Sequence, residues 1–424
     1  MKRYYLNILV IGFALFSMFF GAGNIIFPPY LGLEAGSHWI LGFIFYYMAD
    51  IGLAIVAIFA LIKNNGDIFT LTGRIGKIPG KLMVSVIVLC IGPIIAIPRT
   101  GASVHEMLVL PHTDSVSPIV TTAIFFAIVL VLTIRESAVV DILGKFLTPL
   151  LFIGLLLLII SGIVSPFGDI ASEPKIDNII IAGVNSGYQT MDVLAAMIFG
   201  IIVVKSVMEK GYTEPTAKYK AVRASSLVAG FGLLIVYCGL TYLGATASTT
   251  YGMDINRSQL IINITAGLLG DAGVLVLGIV VTLACLTTAV ALVSSGSDYF
   301  SSLSRGRLSY KLLAVVICVF SAVIGNLGID AIVMLAEPVL SLVYPGALTL
   351  IVMGLFSDRI SDYTIRGAVL GALAGSLLEL LYNYEILQLA FVPHLPLSNF
   401  GFGWFIFAVA GGIAGVVIRR VKAR

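Results

Sequence analysis

The chain has 424 residues, 59% of them apolar and only 11% charged, with a mean hydropathy of +1.07. Soluble domains carry roughly a quarter charged residues, so this composition excludes a water-soluble globular protein. The net charge of +3 is spread over short loops, not gathered on one face, and implies no nucleic-acid partner.

The basic start, Met1, Lys2 and Arg3, leads into an apolar run that outlasts a signal sequence and has no small-residue cleavage site. It reads as a retained first span. Apolar windows at 6–33, 39–62, 82–108, 118–134, 142–165 and 186–207 predict six membrane helices, and those at 222–247, 273–295, 312–327, 331–356, 365–381 and 402–418 predict six more. Twelve spans use about 240 residues at roughly 20 each, which leaves the rest for loops and overlong helices and no room for a soluble domain.

Turn chemistry separates the windows at Lys63-Asn64-Asn65-Gly66, Arg135-Glu136, Gly168-Asp169, Glu209-Lys210-Gly211 and Ser304-Arg305-Gly306-Arg307. The loops 66–81 and 259–269 are long enough for short interfacial helices, as is the polar-flanked region after the fifth window. With a cytoplasmic N-terminus, Lys175 and Arg257 lie outside and Arg99 lies in or near the third span. All the other Lys and Arg then fall on the cytoplasmic side, which predicts that both termini are cytoplasmic.

Cys90, Cys238, Cys285 and Cys318 each sit in an apolar stretch without CxxC spacing and read as packing residues. His38, His105, His112 and His394 are dispersed over predicted extracellular loops, a pattern that builds no metal site. Walker, GxSxG and HExxH motifs are missing, which argues against an ATP-driven pump or an intramembrane hydrolase and leaves no enzyme reading and no covalent cofactor.

Two spans look interrupted. The first carries Gly21-Ala22-Gly23-Asn24 and then Pro28-Pro29; glycine permits unwinding and proline removes a backbone donor, so the helix should open near 21–24. The sixth opens on Asn185-Ser186-Gly187-Tyr188-Gln189-Thr190-Met191-Asp192. Freed backbone groups at membrane depth must line a cavity or be buried in protein. Because the interruptions are five spans apart, an odd number, the second unit enters the membrane upside down, as in inverted-repeat transporters. The expected architecture is an all-α membrane protein with a 5+5 inverted repeat. Residues 1–165 form the first five-helix repeat, 185–356 the second, and 357–424 two additional helices with a short basic tail.

At these residues the sequence resembles a known family. The run Phe13-Ala14-Leu15-Phe16-Ser17-Met18-Phe19-Phe20-Gly21-Ala22-Gly23-Asn24-Ile25-Ile26-Phe27-Pro28-Pro29 is similar to the opening segment of bacterial branched-chain amino acid:cation symporters of the BrnQ type. Gly92-Pro93-Ile94-Ile95-Ala96-Ile97-Pro98-Arg99-Thr100 and Gly187-Tyr188-Gln189-Thr190-Met191-Asp192 resemble that family's third and sixth segments. The resemblance implies a leucine-transporter-type fold in a bacterial plasma membrane, and import of leucine, isoleucine and valine with sodium. A proton-coupled symporter is the alternative, and an uncoupled facilitator or channel the more distant one. The motion implied is rocking of the first, second, sixth and seventh spans against the rest.

A zwitterionic substrate needs donors, acceptors and an apolar pocket. Amides around Gly21, Ala22, Gly23 and Asn24, at the positive end of a half-helix, suit its carboxylate. Carbonyls near Tyr188 to Met191, or the side chains of Gln189 and Thr190, suit its ammonium. For sodium, the hydroxyls of Thr287 and Thr288 lie one turn from the Ala284 carbonyl, and the carbonyls of Ser17 and Phe20 would complete the cage, as in the sodium site of the leucine-transporter fold. The bland alternative is that both threonines bond back to the preceding turn. Ionisable residues in spans are costly, so Asp50, Arg99, Asp192, Glu337 and Glu379 stand out. Asp192 is the candidate for substrate or cation coupling, against the alternative of a structural partner for a neighbouring helix. Arg99 is read as an extracellular gate or as snorkelling to the interface, and Glu337 as a gate or a packing group; Asp50 and Glu379 read as structural.

Overall fold

The computed structural model describes residues 2–64, 66–134, 139–387 and 389–422. The predicted turn at Arg135-Glu136, Asn65 of an earlier turn and Arg424 of the tail lie outside them. Every regular element among the described residues is helical. In chain order the helices are α1 (Lys2–Phe19), α2 (Ala22–Ala35), α3 (Trp39–Tyr47), α4 (Leu53–Lys63), α5 (Ile68–Gly73), α6 (Lys77–Leu89), α7 (Ala96–Val104), α8 (Pro118–Ile134) and α9 (Val139–Val164). They continue as α10 (Ile179–Thr190), α11 (Asp192–Glu209), α12 (Pro215–Thr246), α13 (Arg257–Leu303), α14 (Tyr310–Gly325), α15 (Ile329–Leu355), α16 (Asp362–Asn383) and α17 (Trp404–Lys422).

Each predicted window coincides with one helix or an interrupted pair. The pairs are α1 with α2, α3 with α4, α6 with α7, and α10 with α11. Two of these interruptions were expected; those in the second and third windows were not, and both run through wide π-helical turns, Met48–Gly52 and Cys90–Ile94. Helix α5 occupies the loop expected to hold an interfacial helix. The start of α13 occupies the other, ending in a kink at Gly270 (φ 65). The stretch after the fifth window forms no helix.

The chain divides into two compact units, each drawing on both halves of the sequence: residues 1–51, 88–191 and 224–334, and residues 52–87, 192–223 and 335–424. In the first, bare glycines let backbones touch. A Cβ on Gly244 would lie 1.8 Å from the Pro29 carbonyl oxygen, and one on Gly32 would lie 1.9 Å from that of Thr241, so α2 and α12 meet backbone to backbone. Helix α10 rides on α3 in the same way, where Gly183 faces the Gly42 carbonyl and Gly187 that of Tyr46.

In the second unit α4 packs on α11, and α16 on α17. Asp67 caps α5 by accepting from the amides of Phe69 and Thr70 at 3.1 and 3.0 Å. Glu379 accepts from the amides of Gly403 and Trp404 at the start of α17. Between α16 and α17, a Cβ on Gly371 would lie 2.0 Å from the Phe407 carbonyl oxygen, and one on Gly411 would lie 2.1 Å from that of Gly367. No side chain fits there. Gly371→Val or Gly411→Val should therefore force the last two helices apart and destabilise the unit by roughly 1–3 kcal/mol, as overpacking does. Thermal unfolding of the purified variants in detergent measures this, and an unchanged melting curve would show that the two helices do not meet there.

Candidate functional site

Helix α1 ends at Phe19, Phe20 and Gly21 belong to neither helix, and α2 starts at Ala22 with the extended Gly21 as its N-cap (φ −110, ψ −172). The gap is thus narrower than the predicted opening, because Ala22, Gly23 and Asn24 already belong to the new helix. The amides of Ala22 and Gly23 are in the first turn, where an α-helix leaves amides without internal partners, whereas that of Asn24 donates to the Gly21 carbonyl at 3.2 Å. Pro28 and Pro29 sit inside α2 without ending it. The sixth span is also interrupted, but later than the polar run suggested: residues 185–190 are helical and the break is the single residue Met191, left-handed at φ 66 and ψ 14. A non-glycine residue held there costs about 1–2 kcal/mol, a strain found mainly where function requires it.

Helix α10 packs against both α2 and α3, which brings the two interruptions together in the first unit. Between them lies Arg99, 3% exposed. It belongs to α7, a helix whose residues are all buried and which packs on α2 and α13. Its guanidinium donates from Nη1 to the Gln189 carbonyl (2.7 Å) and from Nη2 to that of Thr190 (3.4 Å). On its other side Nη2 lies 2.7 Å from where a Cβ on Gly23 would stand. The Phe27 ring centroid is 5.4 Å from Cζ. Arg99 therefore reaches backbone carbonyls in the interior, not the interface, and two of the carbonyls considered for an ammonium are held by it.

Asp50 is fully buried in the wide turn after α3. Its Oδ1 accepts from the Thr190 hydroxyl at 2.7 Å, and that hydroxyl also lies 2.6 Å from the Gly187 carbonyl. Wide turns of this kind cluster at functional sites. Asn24 donates from Nδ2 to the Tyr237 hydroxyl, and Tyr237 stacks on Phe20 (6.2 Å) and meets Tyr46 edge-on (5.5 Å). Tyr188 and Gln189 are buried, and Gln189 Oε1 has no hydrogen-bond partner.

On α13, which packs against α1 and α2, the two threonines differ. Thr287 donates to the Ala284 carbonyl at 2.9 Å, while Thr288 Oγ1 is buried with no hydrogen-bond partner among the described residues. A Cβ on Gly21 would lie 3.7 Å from that oxygen. Among the described residues, neither the Ser17 nor the Phe20 carbonyl accepts a backbone hydrogen bond from outside its own helix. Buried oxygens left unpaired are expensive, and a cation among them would remove that cost.

Other predicted residues fall elsewhere. Asp192 belongs to the second unit, buried in the first turn of α11, where a carboxylate favours the helix dipole. Glu337, also in that unit, is exposed on α15. His105, read as a loop residue, is instead buried in the wide turn ending the third span, its Nδ1 3.0 Å from the Thr121 hydroxyl. Three features are not legible in the sequence: the Asp50 contact, whose one signal is an acid inside an apolar run; Tyr237, which has none; and Glu106, which accepts from the Ser258 hydroxyl and, at 2.8 Å, from the Ile329 amide.

The family model for branched-chain amino acid transport protein matches residues 5–422. The chain is 34% identical to the branched-chain amino acid permease BrnQ of Bacillus subtilis (strain 168), over 98% of each chain. Among solved structures it is similar to inward-facing Mhp1, with a TM-score of 0.64 at 17% identity, covering 97% of this chain and 91% of that one. It is also similar to a Na+-coupled sialic acid symporter in a substrate-bound outward-open state, with a TM-score of 0.61 at 13% identity and coverage of 97% and 90%. These likenesses give the fold, that of leucine-transporter-type carriers. Matched from end to end, the chain belongs to the branched-chain amino acid transport protein family and is a membrane permease, not an enzyme.

Proposed function

We propose that this permease imports leucine, isoleucine and valine by symport with Na+ through alternating access, as a multi-pass protein of a bacterial plasma membrane with both termini cytoplasmic. The observation that carries the reading is the meeting of two interrupted helices around Arg99, beside the unpaired Thr288 oxygen. The amides of Ala22, Gly23 and Asn24 after Gly21 serve the carboxylate, Tyr188, Gln189 and Thr190 serve the ammonium, and Asp192 is the candidate for substrate or cation coupling. Ser17, Phe20, Ala284, Thr287 and Thr288 hold Na+, and Arg99 and Glu337 contribute to gating. The name of the BrnQ relative supports the substrate class, and the Na+-coupled symporter of the same fold supports the ion.

A pocket separates ligands differing by one methylene by only about 1–3 kcal/mol, so overlapping use of the three aliphatic amino acids is expected. The two five-helix repeats, 1–165 and 185–356, would supply one interrupted helix each, with 357–424 as an addition. Protons are the alternative coupling ion, and the buried carboxylates Asp50 and Asp192 are the groups that would carry them. Purified protein in proteoliposomes should accumulate labelled leucine against its gradient only when Na+ is higher outside. Equal uptake with and without that gradient removes sodium coupling; accumulation driven by a pH gradient alone establishes the proton instead; equilibration without accumulation leaves a facilitator.

A further inference from the structure

We propose that the start of α16 and the end of α17 form a binding site for the phosphate of an anionic phospholipid, on the face that the proposed topology makes cytoplasmic. The two helices converge there: a Cβ on Gly415 would lie 2.2 Å from the Tyr363 carbonyl oxygen. The Arg366 guanidinium carbon and the Lys422 ammonium nitrogen sit 5.7 and 5.4 Å from the centroid of the same Tyr363 ring, each within the range of a cation–π contact. Among the described residues neither makes an ion pair. Asp362, one turn before Arg366, pairs instead with Arg74 at 3.5 Å. Arg366 uses only its Nε, which donates to the Arg74 carbonyl at 3.0 Å, so its terminal amino groups stay available to a ligand.

Two cations gathered on one ring repel each other. The dipole of α17 accounts for Lys422, which lies in its last turn, but not for Arg366, in the second turn of α16. A phosphate relieves the repulsion, because its oxygens accept from a guanidinium and an ammonium together. The surroundings select a lipid over a soluble phosphate. One turn along each helix from the charges stand Leu370 and Ile418, 61% and 49% exposed, and Val417 and Ile413, 54% and 61% exposed, continue the apolar surface along α17. An acyl chain covers such a surface while its headgroup stays at the charges, and the cytoplasmic leaflet is where anionic lipids meet basic pockets between helices. Arg74, which follows α5, is tied to Arg366 through its carbonyl and to Asp362 through its side chain, so an occupied site also holds the end of α5 onto α16.

Native mass spectrometry of the purified full chain, in mixed micelles holding equal amounts of phosphatidylglycerol and phosphatidylcholine, tests this. Phosphatidylcholine carries the same phosphate but brings a positive charge of its own. Wild type should bind its first phosphatidylglycerol roughly 30-fold more tightly than its first phosphatidylcholine, the effect of two basic groups at a membrane surface. Arg366→Gln with Lys422→Gln should bring the preference to within about threefold. Lys210→Gln with Lys220→Gln, which removes two exposed cations of the same unit, should leave it unchanged. Lys422→Glu should abolish the preference yet melt no lower than wild type in lipid-free detergent, because a carboxylate there meets Arg366 from within the chain. A preference that survives in the Arg366 and Lys422 variant overturns the site, and so does an equal loss in the Lys210 and Lys220 variant, which would mean diffuse attraction to a basic surface. Displacement of phosphatidylglycerol by excess inorganic phosphate would make the occupant a soluble anion and overturn the lipid assignment. If the double glutamine variant does not fold, Lys422→Glu and the wild-type preference decide, and a wild type that binds both lipids equally overturns the proposal outright.

Discussion

Replacing Thr287 and Thr288 together by alanine should raise the Na+ concentration for half-maximal leucine uptake by roughly 10- to 100-fold, about 1.4–2.7 kcal/mol of lost binding, with little effect on folding. The asymmetry between the two hydroxyls explains both halves of this expectation. Thr287 donates to the Ala284 carbonyl, the back-bonding usual for an intrahelical threonine, and losing that bond costs about 1 kcal/mol or less. Thr288 Oγ1 has no partner to lose, so its removal relieves a buried unpaired oxygen. If these oxygens bind no ion, the double variant should be close to neutral in stability and transport alike. Thr288→Val, which keeps the shape and removes only the oxygen, should account for most of the shift, and Thr288→Ser should restore wild-type behaviour. Sodium titrations of uptake in proteoliposomes measure all three, and an unshifted titration in a folded double variant withdraws sodium from this place.

How far the site was legible depended on whether a residue's role is local or comes from distant neighbours. Hydropathy windows and turn residues located the spans because lipid imposes a length and a composition on each one. The first interruption was legible to within a residue or two, since Gly21, Gly23, Pro28 and Pro29 all bear on the local backbone. The sixth was displaced to Met191 because residues 185–190, though polar, are held helical by packing on α3 through Gly183 and Gly187. Gly183 and Gly187 do have the four-residue spacing of close helix packing, but that spacing does not say which helix they meet. The interruption in the third span did have a local signal, Gly92-Pro93, and Gly92 indeed leaves helical geometry (φ −97, ψ −127). Arg99 stood out as an intramembrane charge, but its destination depends on the carbonyls of residues ninety positions away. Asp50 was legible as a structural acid but its contact was not: it accepts from the last residue of α10, and pairings across such separations leave no period in a sequence.

Asp50→Asn should destabilise the folded protein strongly, and adding Arg99→Gln should recover part of the loss. Thr190 is the link. Its hydroxyl donates to Asp50 and its carbonyl accepts from Arg99, so one residue at the end of α10 holds a buried carboxylate and a buried guanidinium close together. Removing one charge from a buried network that holds both signs leaves the other less compensated, which costs up to about 3–5 kcal/mol when the two are paired directly and less when, as here, one residue links them. Asparagine keeps an acceptor oxygen for Thr190 and nearly the same volume, so this substitution changes the charge and little else. Each single variant should therefore melt well below wild type, and the double variant should be less damaged than the sum of the two by about 1–3 kcal/mol, the usual range for residues sharing one network. Strict additivity would mean that Thr190 separates the two charges energetically and that each answers to other partners. A coupled result would make the end of α10 a charge-balanced joint, in which a change at the sixth-span break alters the hydrogen bonds of Asp50 and of Arg99 together. A ligand that shifts that break would then act on both charges at once, and it shifts the equilibrium only as far as it binds the two arrangements differently.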